Sequence, residues 1–192
     1  DLADRSYIQA AFKGETVLSD IVISRVTGEP VLMLATPIET ASKETALLLA
    51  RVDGYILSDV IDTIEIGETG YAFIINNEGI MQGHVKREYV KEQMNYIEEE
   101  NTVSAAIQSM IDNTSGYSKY EDVEGDMRLA GFYTLNNNWT MAVTATEAEM
   151  LKGLNTVKIN LVAFSVLFVI VGGIVAYVIG RSLSKPITEL VH

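Results

Sequence analysis

Cysteine is absent from the 192 residues, which excludes disulfides, thiolate nucleophiles and thiolate zinc sites. Histidine is nearly as scarce. His84 stands alone in the folded part and His192 ends the chain, so no nucleophile with a base and an orienting acid can be assembled. No enzyme activity, metal or cofactor is expected. Basic charge is the rarer sign, with 14 Lys and Arg against 26 Asp and Glu and a formal charge of −12. After Lys158 only Arg181, Lys185 and Glu189 are charged, so the acidic excess lies entirely in residues 1–158. Such a region lacks the clustered cations that displace counterions from a phosphate backbone, and nucleic acid is not an expected partner. Phosphate loops are missing too, because Gly67 and Gly70 lead into a strand pattern and no GK[ST] run occurs. Proline is absent from Thr146 up to Pro186, leaving a helix there uninterrupted. No apolar run follows Asp1-Leu2-Ala3-Asp4-Arg5, so a signal peptide is not expected there and the sequence reads as an excerpt of a longer chain.

What is present in quantity is one apolar run, Ile159 to Gly180, without a charged residue. About twenty helical residues span a hydrocarbon core of about 30 Å. Fourteen of its residues are Leu, Ile, Val or Phe, each favouring insertion by roughly 0.3–0.6 kcal/mol. Ser165 can return its hydroxyl to a carbonyl one turn earlier, and Lys158 and Arg181 bracket the run where headgroups sit. The run reads as a membrane anchor. Lys152 and Lys158 before it balance Arg181 and Lys185 after it, so local charge does not orient it. Large acidic domains translocate regardless of charge, which places residues 1–158 outside and 181–192 inside.

Before the anchor, the chain alternates strand and helix patterns. Asp4 to Lys13 predicts a short helix, capped by Asp4 and ended by Gly14. Val17 to Val26 and Pro30 to Ile38 predict a hairpin turning at Thr27-Gly28-Glu29, and Ala46 to Val52 is a third apolar run. Helical spacing follows through Ile56, Leu57, Val60, Ile61 and Ile64 as far as the break at Gly67-Glu68-Thr69-Gly70. A second unit begins with the hairpin Tyr71 to Ile75 and Ile80 to Gly83. Helices Val85 to Gln93 and Val103 to Ile111 come next, and strands Gly116 to Val123, Met127 to Leu135 and Trp139 to Ala145 close it. This order predicts an α+β fold, a PAS-like antiparallel sheet with helices inserted midway. Thr146 to Glu149 fits a capping box opening the helix that runs into the anchor.

Several residues bear on function. His84 has no second ligand near it in sequence, so a structural role and a ligand-contacting or pH-sensing role both stay open. Glu121, Asp122, Glu124 and Asp126 lack the spacing of a calcium loop and read as a solvated turn; Glu98-Glu99-Glu100 reads as a solvated face. Trp139 alternates with Met141 and Val143, as a core residue does. Gly172, Ala176 and Gly180 form a small-residue stripe on which another helix can pack.

In their order, these stretches resemble the extracellular double Cache (dCache) sensor region of bacterial methyl-accepting chemotaxis receptors, followed by the second transmembrane helix and the opening of a HAMP linker. The likeness is carried by Asp4-Arg5-Ser6-Tyr7, Ser19-Asp20 with Thr27-Gly28, Ala35-Thr36-Pro37-Ile38, Arg51-Val52-Asp53-Gly54, Gly67 to Asn76 with Gly79, Gly131-Phe132-Tyr133, Trp139 and Arg181 to Ile187. It implies a division in which 1–53 is the latter part of a membrane-distal Cache module, 54–66 a connecting helix and 67–146 the membrane-proximal module. Residues 147–158 would be a juxtamembrane helix, 159–180 the transmembrane helix and 181–192 the start of HAMP. In members that bind amino acids, an Arg, two following aromatics, a strand Tyr and a later Asp hold the ligand. Arg5, Tyr7 and Asp53 match three of these, while Ile8 and Val22 stand where the second aromatic and the strand Tyr are usual. The family often has Ala-His-Pro where this chain has Gly83-His84-Val85. The expected partners are a small ligand, an amino acid or other small organic acid, together with membrane lipid and a second copy of the chain. The expected location is the bacterial cell membrane. The alternative is the input region of a sensor histidine kinase or diguanylate cyclase with the same layout.

Overall fold

The computed structural model describes residues 2–40, 45–97 and 102–189; Glu98-Glu99-Glu100 and His192 lie outside the described residues. The chain forms two compact units, residues 1–147 and 148–192.

The first unit holds two antiparallel sheets. In the smaller one, helix α1 (Ser6–Phe12) lays Tyr7, Ile8 and Ala11 on Val31, Met33 and Ala35. Gly14, at φ +101°, follows its end, as expected from a residue without a Cβ penalty. Asp4 does not cap it. Arg5 occupies the cap position without a side-chain bond, and Asp4 instead accepts two bonds from Arg25 at 3.0 and 2.6 Å, a bidentate charge-assisted pair.

The expected strand Val17 to Val26 is broken in two. β1 (Val17–Leu18) and β2 (Val22–Ile23) pair in tandem with β3 (Pro30–Glu39), which also pairs along its length with β4 (Thr45–Asp53). Ser19 still faces Met33, donating its N–H to the Met33 carbonyl at 2.8 Å and accepting the Met33 N–H on Oγ at 3.0 Å. The register then slips by one, so Asp20 and Ile21 together oppose Leu32. That is a β-bulge, which bends a strand and re-aims its side chains. The turn is also wider than expected, closed by the Ser24 N–H on the Glu29 carbonyl at 2.9 Å.

Helix α2 (Ile56–Ile61) leads to the larger sheet, made of β5 (Tyr71–Ile75), β6 (Met81–His84), β7 (Ser115–Glu121), β8 (Met127–Thr134) and β9 (Thr140–Thr146). The order is β6-β5-β9-β8-β7, every pair is antiparallel, and helices α3 (Arg87–Lys91) and α4 (Thr102–Asp112) are inserted midway. The fold is the α+β arrangement that the pattern implies. Val103, Ala106, Ile107 and Met110 of α4 recur at helical spacing and are all buried; the larger of them contribute about 1.5–3 kcal/mol each. α3 is shorter than the Val85 to Gln93 expected.

The bulge in the smaller sheet delivers two residues to the larger one. Ile21 is 1% exposed and shares the main core with Phe73, Ile75, Val90 and Trp139. Its N–H donates to Gln82 Oε1 at 2.6 Å. Asp20 accepts the Trp139 indole N–H at 2.7 Å and the Asn76 amide at 3.0 Å.

The second unit belongs to helix α5 (Glu147–Glu189), unbroken by Gly153 or the Gly172-Gly173 pair. Its Glu147–Arg181 segment is long and apolar enough to cross a membrane, with its apolar window fully exposed. The Ser165 hydroxyl donates to the Leu161 carbonyl at 2.8 Å, as its place in the run requires.

Candidate functional site

On the smaller sheet, Arg5 and Tyr7 sit at the start of α1. Arg5 Nη2 donates to the Ile23 carbonyl at 3.1 Å, while its Nε is buried without a hydrogen-bond partner among the described residues. Tyr7 is 3% exposed and wedged among Ile8, Val31 and Met33, so its ring is fixed. Asp53 ends β4 opposite Val31. Opposed residues of an antiparallel pair share a face, and Val31 packs with α1, so Asp53 is on the α1 face of the sheet. Its Oδ1 accepts the Tyr55 N–H at 2.9 Å, and it borders an open recess with Glu29, Arg51 and Tyr55. The three residues thus share a face, but among the described residues no contact joins Asp53 to Arg5 or Tyr7.

A better-enclosed cavity, of about 190 Å³, lies in the larger sheet's module. Strand pairing builds one wall: Tyr71 and Phe73 alternate on β5, His84 pairs with Phe73 across β6, and Tyr120 pairs with Arg128 across β7 and β8. Tyr89 from α3, Tyr96 from the following segment, and Val103 and Ile107 from α4 supply the other. Rings pack on rings, with His84 centred 4.7 Å from Tyr89 and 5.1 Å from Tyr71.

The charges in this wall are paired. Arg128 Nε donates to Asp122 at 2.5 Å, and Nη1 to the Thr69 carbonyl at 3.2 Å. At the rim, Lys86 meets Glu124 at 3.4 Å. Burial alone would raise the Asp122 pKa, but the bond from Arg128 and the backbone N–H groups of Asp126 and Glu124 hold it below the usual carboxylate range. These bonds make Asp122 the keystone of the β7–β8 turn, with Gly125 at φ +90°. Burial pushes Tyr71 up to about 12 and raises Tyr96 and Tyr120, so the phenols stay protonated at neutral pH. Burial and the nearby Lys86 charge push His84 down to about 4, and the imidazole is neutral. Its Nδ1 accepts the Lys86 N–H at 2.8 Å, which leaves the ring proton on Nε2.

The Cache domain profile matches residues 1–154. This chain belongs to the Cache domain family. Among curated relatives of this Cache chain, the methyl-accepting chemotaxis protein McpB of Bacillus subtilis is 26% identical over 196 residues, covering 100% of the chain. PctB of Pseudomonas aeruginosa is 19% identical over 188 residues, covering 96%. The chain spans 28% of the length of each. Among solved structures, the extracellular domain assigned to a histidine kinase, mmHK1S-Z2, superposes with TM-score 0.61 at 19% identity, covering 77% of this chain and 57% of that one. The ligand-binding domain of the amino acid chemoreceptor PctB from Pseudomonas aeruginosa PAO1, in complex with L-Gln, gives 0.58 at 18% identity, covering 86% and 66%. These likenesses show a shared fold.

Of the Cache chain's cavity residues, the sequence weighed only His84, Asp122 and Glu124 for a functional role. Tyr71, Tyr89, Tyr96, Tyr120 and Arg128 come from five separate segments. The local trace was the alternation Tyr71-Ala72-Phe73, which puts two rings on one sheet face.

Proposed function

We propose that the chain is the outward-facing sensor and membrane crossing of a chemoreceptor, in which a small ligand binds the smaller sheet and the signal passes to α5. The carrying observation is the Cache match over residues 1–154 with a membrane-length helix following the last strand. Curated relatives named methyl-accepting chemotaxis proteins support it. On this reading 1–53 is the distal module, 54–66 the connecting segment, helical only over the Ile56–Ile61 of α2 rather than throughout as expected, 67–146 the proximal module, 147–158 the juxtamembrane helix, 159–180 the span in lipid, and 181–192 the opening of HAMP. The bacterial cell membrane holds a homodimer, with 1–158 outside and 181–192 in the cytoplasm. The role is sensing rather than catalysis.

At the distal site, Arg5 pairs with a ligand carboxylate, Asp53 with its ammonium, and Tyr7 packs beside them. The Arg5 Nε, without a hydrogen-bond partner among the described residues, supports this, as does the solved PctB domain, whose ligand is L-Gln. A ligand shifts a two-state sensor only by its differential affinity for the two states, so binding signals only if one state presents Arg5 and Asp53 to the ligand better than the other. Calorimetry of the whole chain in micelles, with each common amino acid and short organic acid, tests this. Saturable heat for one of them, lost in Arg5→Ala and Asp53→Asn, is expected; no heat for any, or full binding in both variants, overturns the site. The absence of cysteine makes orientation testable in the intact protein. Asn137→Cys should react with an impermeant maleimide on whole cells, and Thr188→Cys only after lysis. The reverse pattern overturns the topology. The fold shared with the mmHK1S-Z2 extracellular domain favours a second reading, the input region of a histidine kinase.

A further inference from the structure

The cavity of the larger sheet has no part in the reading above, and its wall is selective. His84 supplies one donor: the residue is 4% exposed, Nδ1 is taken by the Lys86 N–H, and among the described residues no acceptor for Nε2 is recorded. Every charged wall residue already has a counter-ion, Arg128 with Asp122 and Lys86 with Glu124. An anion entering the cavity would have to break one of those pairs. A cation fares no better, because Arg128 lies 4.9 Å from the centre of the Tyr71 ring and Lys86 lies 5.6 Å from that of Tyr89. The protein's own cations already sit at these two rings, and their charge repels another. What remains open is apolar wall, from Phe73, Val103 and Ile107, beside the phenols of Tyr71, Tyr89 and Tyr96, and the N–H of His84.

Size narrows the ligand further. An apolar cavity of about 150 Å³ takes one benzene, so 190 Å³ accommodates a six-membered ring with one small substituent. We propose that this cavity is a second binding site, for an uncharged single-ring molecule bearing one hydrogen-bond acceptor, gripped by the aromatic wall and by the Nε2–H of His84. The site stands apart from the distal one, and its test does not depend on chemotactic signalling.

The whole chain in detergent micelles, with its two histidines labelled with ¹⁵N, is titrated with benzamide, and with benzoate and benzylamine as charged counterparts of similar size. Saturable benzamide binding that shifts the His84 Nε2 resonance is expected, with both charged probes at least about tenfold weaker. His84→Asn keeps an acceptor for the Lys86 N–H, but its shorter amide cannot place an N–H where Nε2 stands, and it should weaken benzamide about tenfold. Val103→Phe fills the cavity and should abolish binding. Circular dichroism verifies that each variant folds, and if neither does, the Nε2 shift in the unmodified chain decides. No saturable benzamide binding, equal binding of either charged probe, or unchanged affinity in folded His84→Asn overturns the proposal.

Discussion

His84 is the side chain whose chemistry depends most on its surroundings. Tyr71, Phe73 and Tyr89 surround it, Lys86 lies close by and disfavours its protonation, and Glu88 mildly opposes that. The Asp122–Arg128 and Lys86–Glu124 pairs on the same wall are internally compensated. With a folded pKa near 4 against an ordinary 6.5, the unfolded chain binds the proton more readily than the fold does. Stability from this group is therefore full above about pH 6.5 and is lost as pH falls toward 4, by an amount on the order of 3 kcal/mol. Denaturant midpoints across that range should fall more steeply for the unmodified chain than for His84→Asn. Parallel pH profiles would show that the ring is not buried neutral. The sequence left this residue open between a structural and a ligand-contacting role, because its environment comes from segments far away in the chain. Asp4 shows the converse: its helix-capping pattern was legible, but the competing partner, Arg25, lies 21 residues on.

At the scale of elements, most of the larger module was readable. Tyr71–Ile75 is β5 as expected, and the turns at Glu124-Gly125-Asp126 and Asn136-Asn137-Asn138 separate the last three strands. The smaller sheet was less so. Val17 to Val26 has the composition of a single strand, and the bulge at Asp20 and Ile21 arises only because β3 sets the register on both sides of it. Gly54 is a second feature decided by packing. It donates its N–H to the Pro30 carbonyl at 3.1 Å, and a Cβ there would lie 2.5 Å from the Pro30 carbonyl carbon. Backbone cannot swing aside as a side chain does. Gly54→Ala should therefore cost about 1–3 kcal/mol, read from chemical denaturation. Gly131→Ala, on β8 with nothing within 4 Å of the new methyl, should be neutral or slightly stabilising. Equal losses at the two positions would refute the close-approach account.

For the folded region as a whole, the two sheets share a core, since Ile21 and Leu32 from the smaller one lie in the same cluster as Ile74, Met110 and Ala142 of the larger module. They are expected to unfold in one cooperative transition. Ile21→Ala should lower that transition as a unit by about 2–5 kcal/mol, while Asp20→Ala, an exposed residue whose carboxylate binds two buried partners, should lower it by about 1–2 kcal/mol. Two separated transitions in the unmodified chain, seen by amide exchange or circular dichroism, would show the sheets to be independent. The coupling was not legible beforehand. Ser19-Asp20 could be picked out as a familiar pair, and Trp139 as a core residue, but nothing local says that one binds the other across 119 positions.

That bond also has an optical consequence. Trp139 is the only tryptophan in the chain, and its indole N–H points at a carboxylate from the other sheet. Emission from a single indole therefore reports on the junction alone, without background from elsewhere. Loss of the Asp20 contact on ligand binding would change the indole's polarity and its access to quenchers, so the unlabelled protein carries its own spectroscopic gauge of communication between its two sheets.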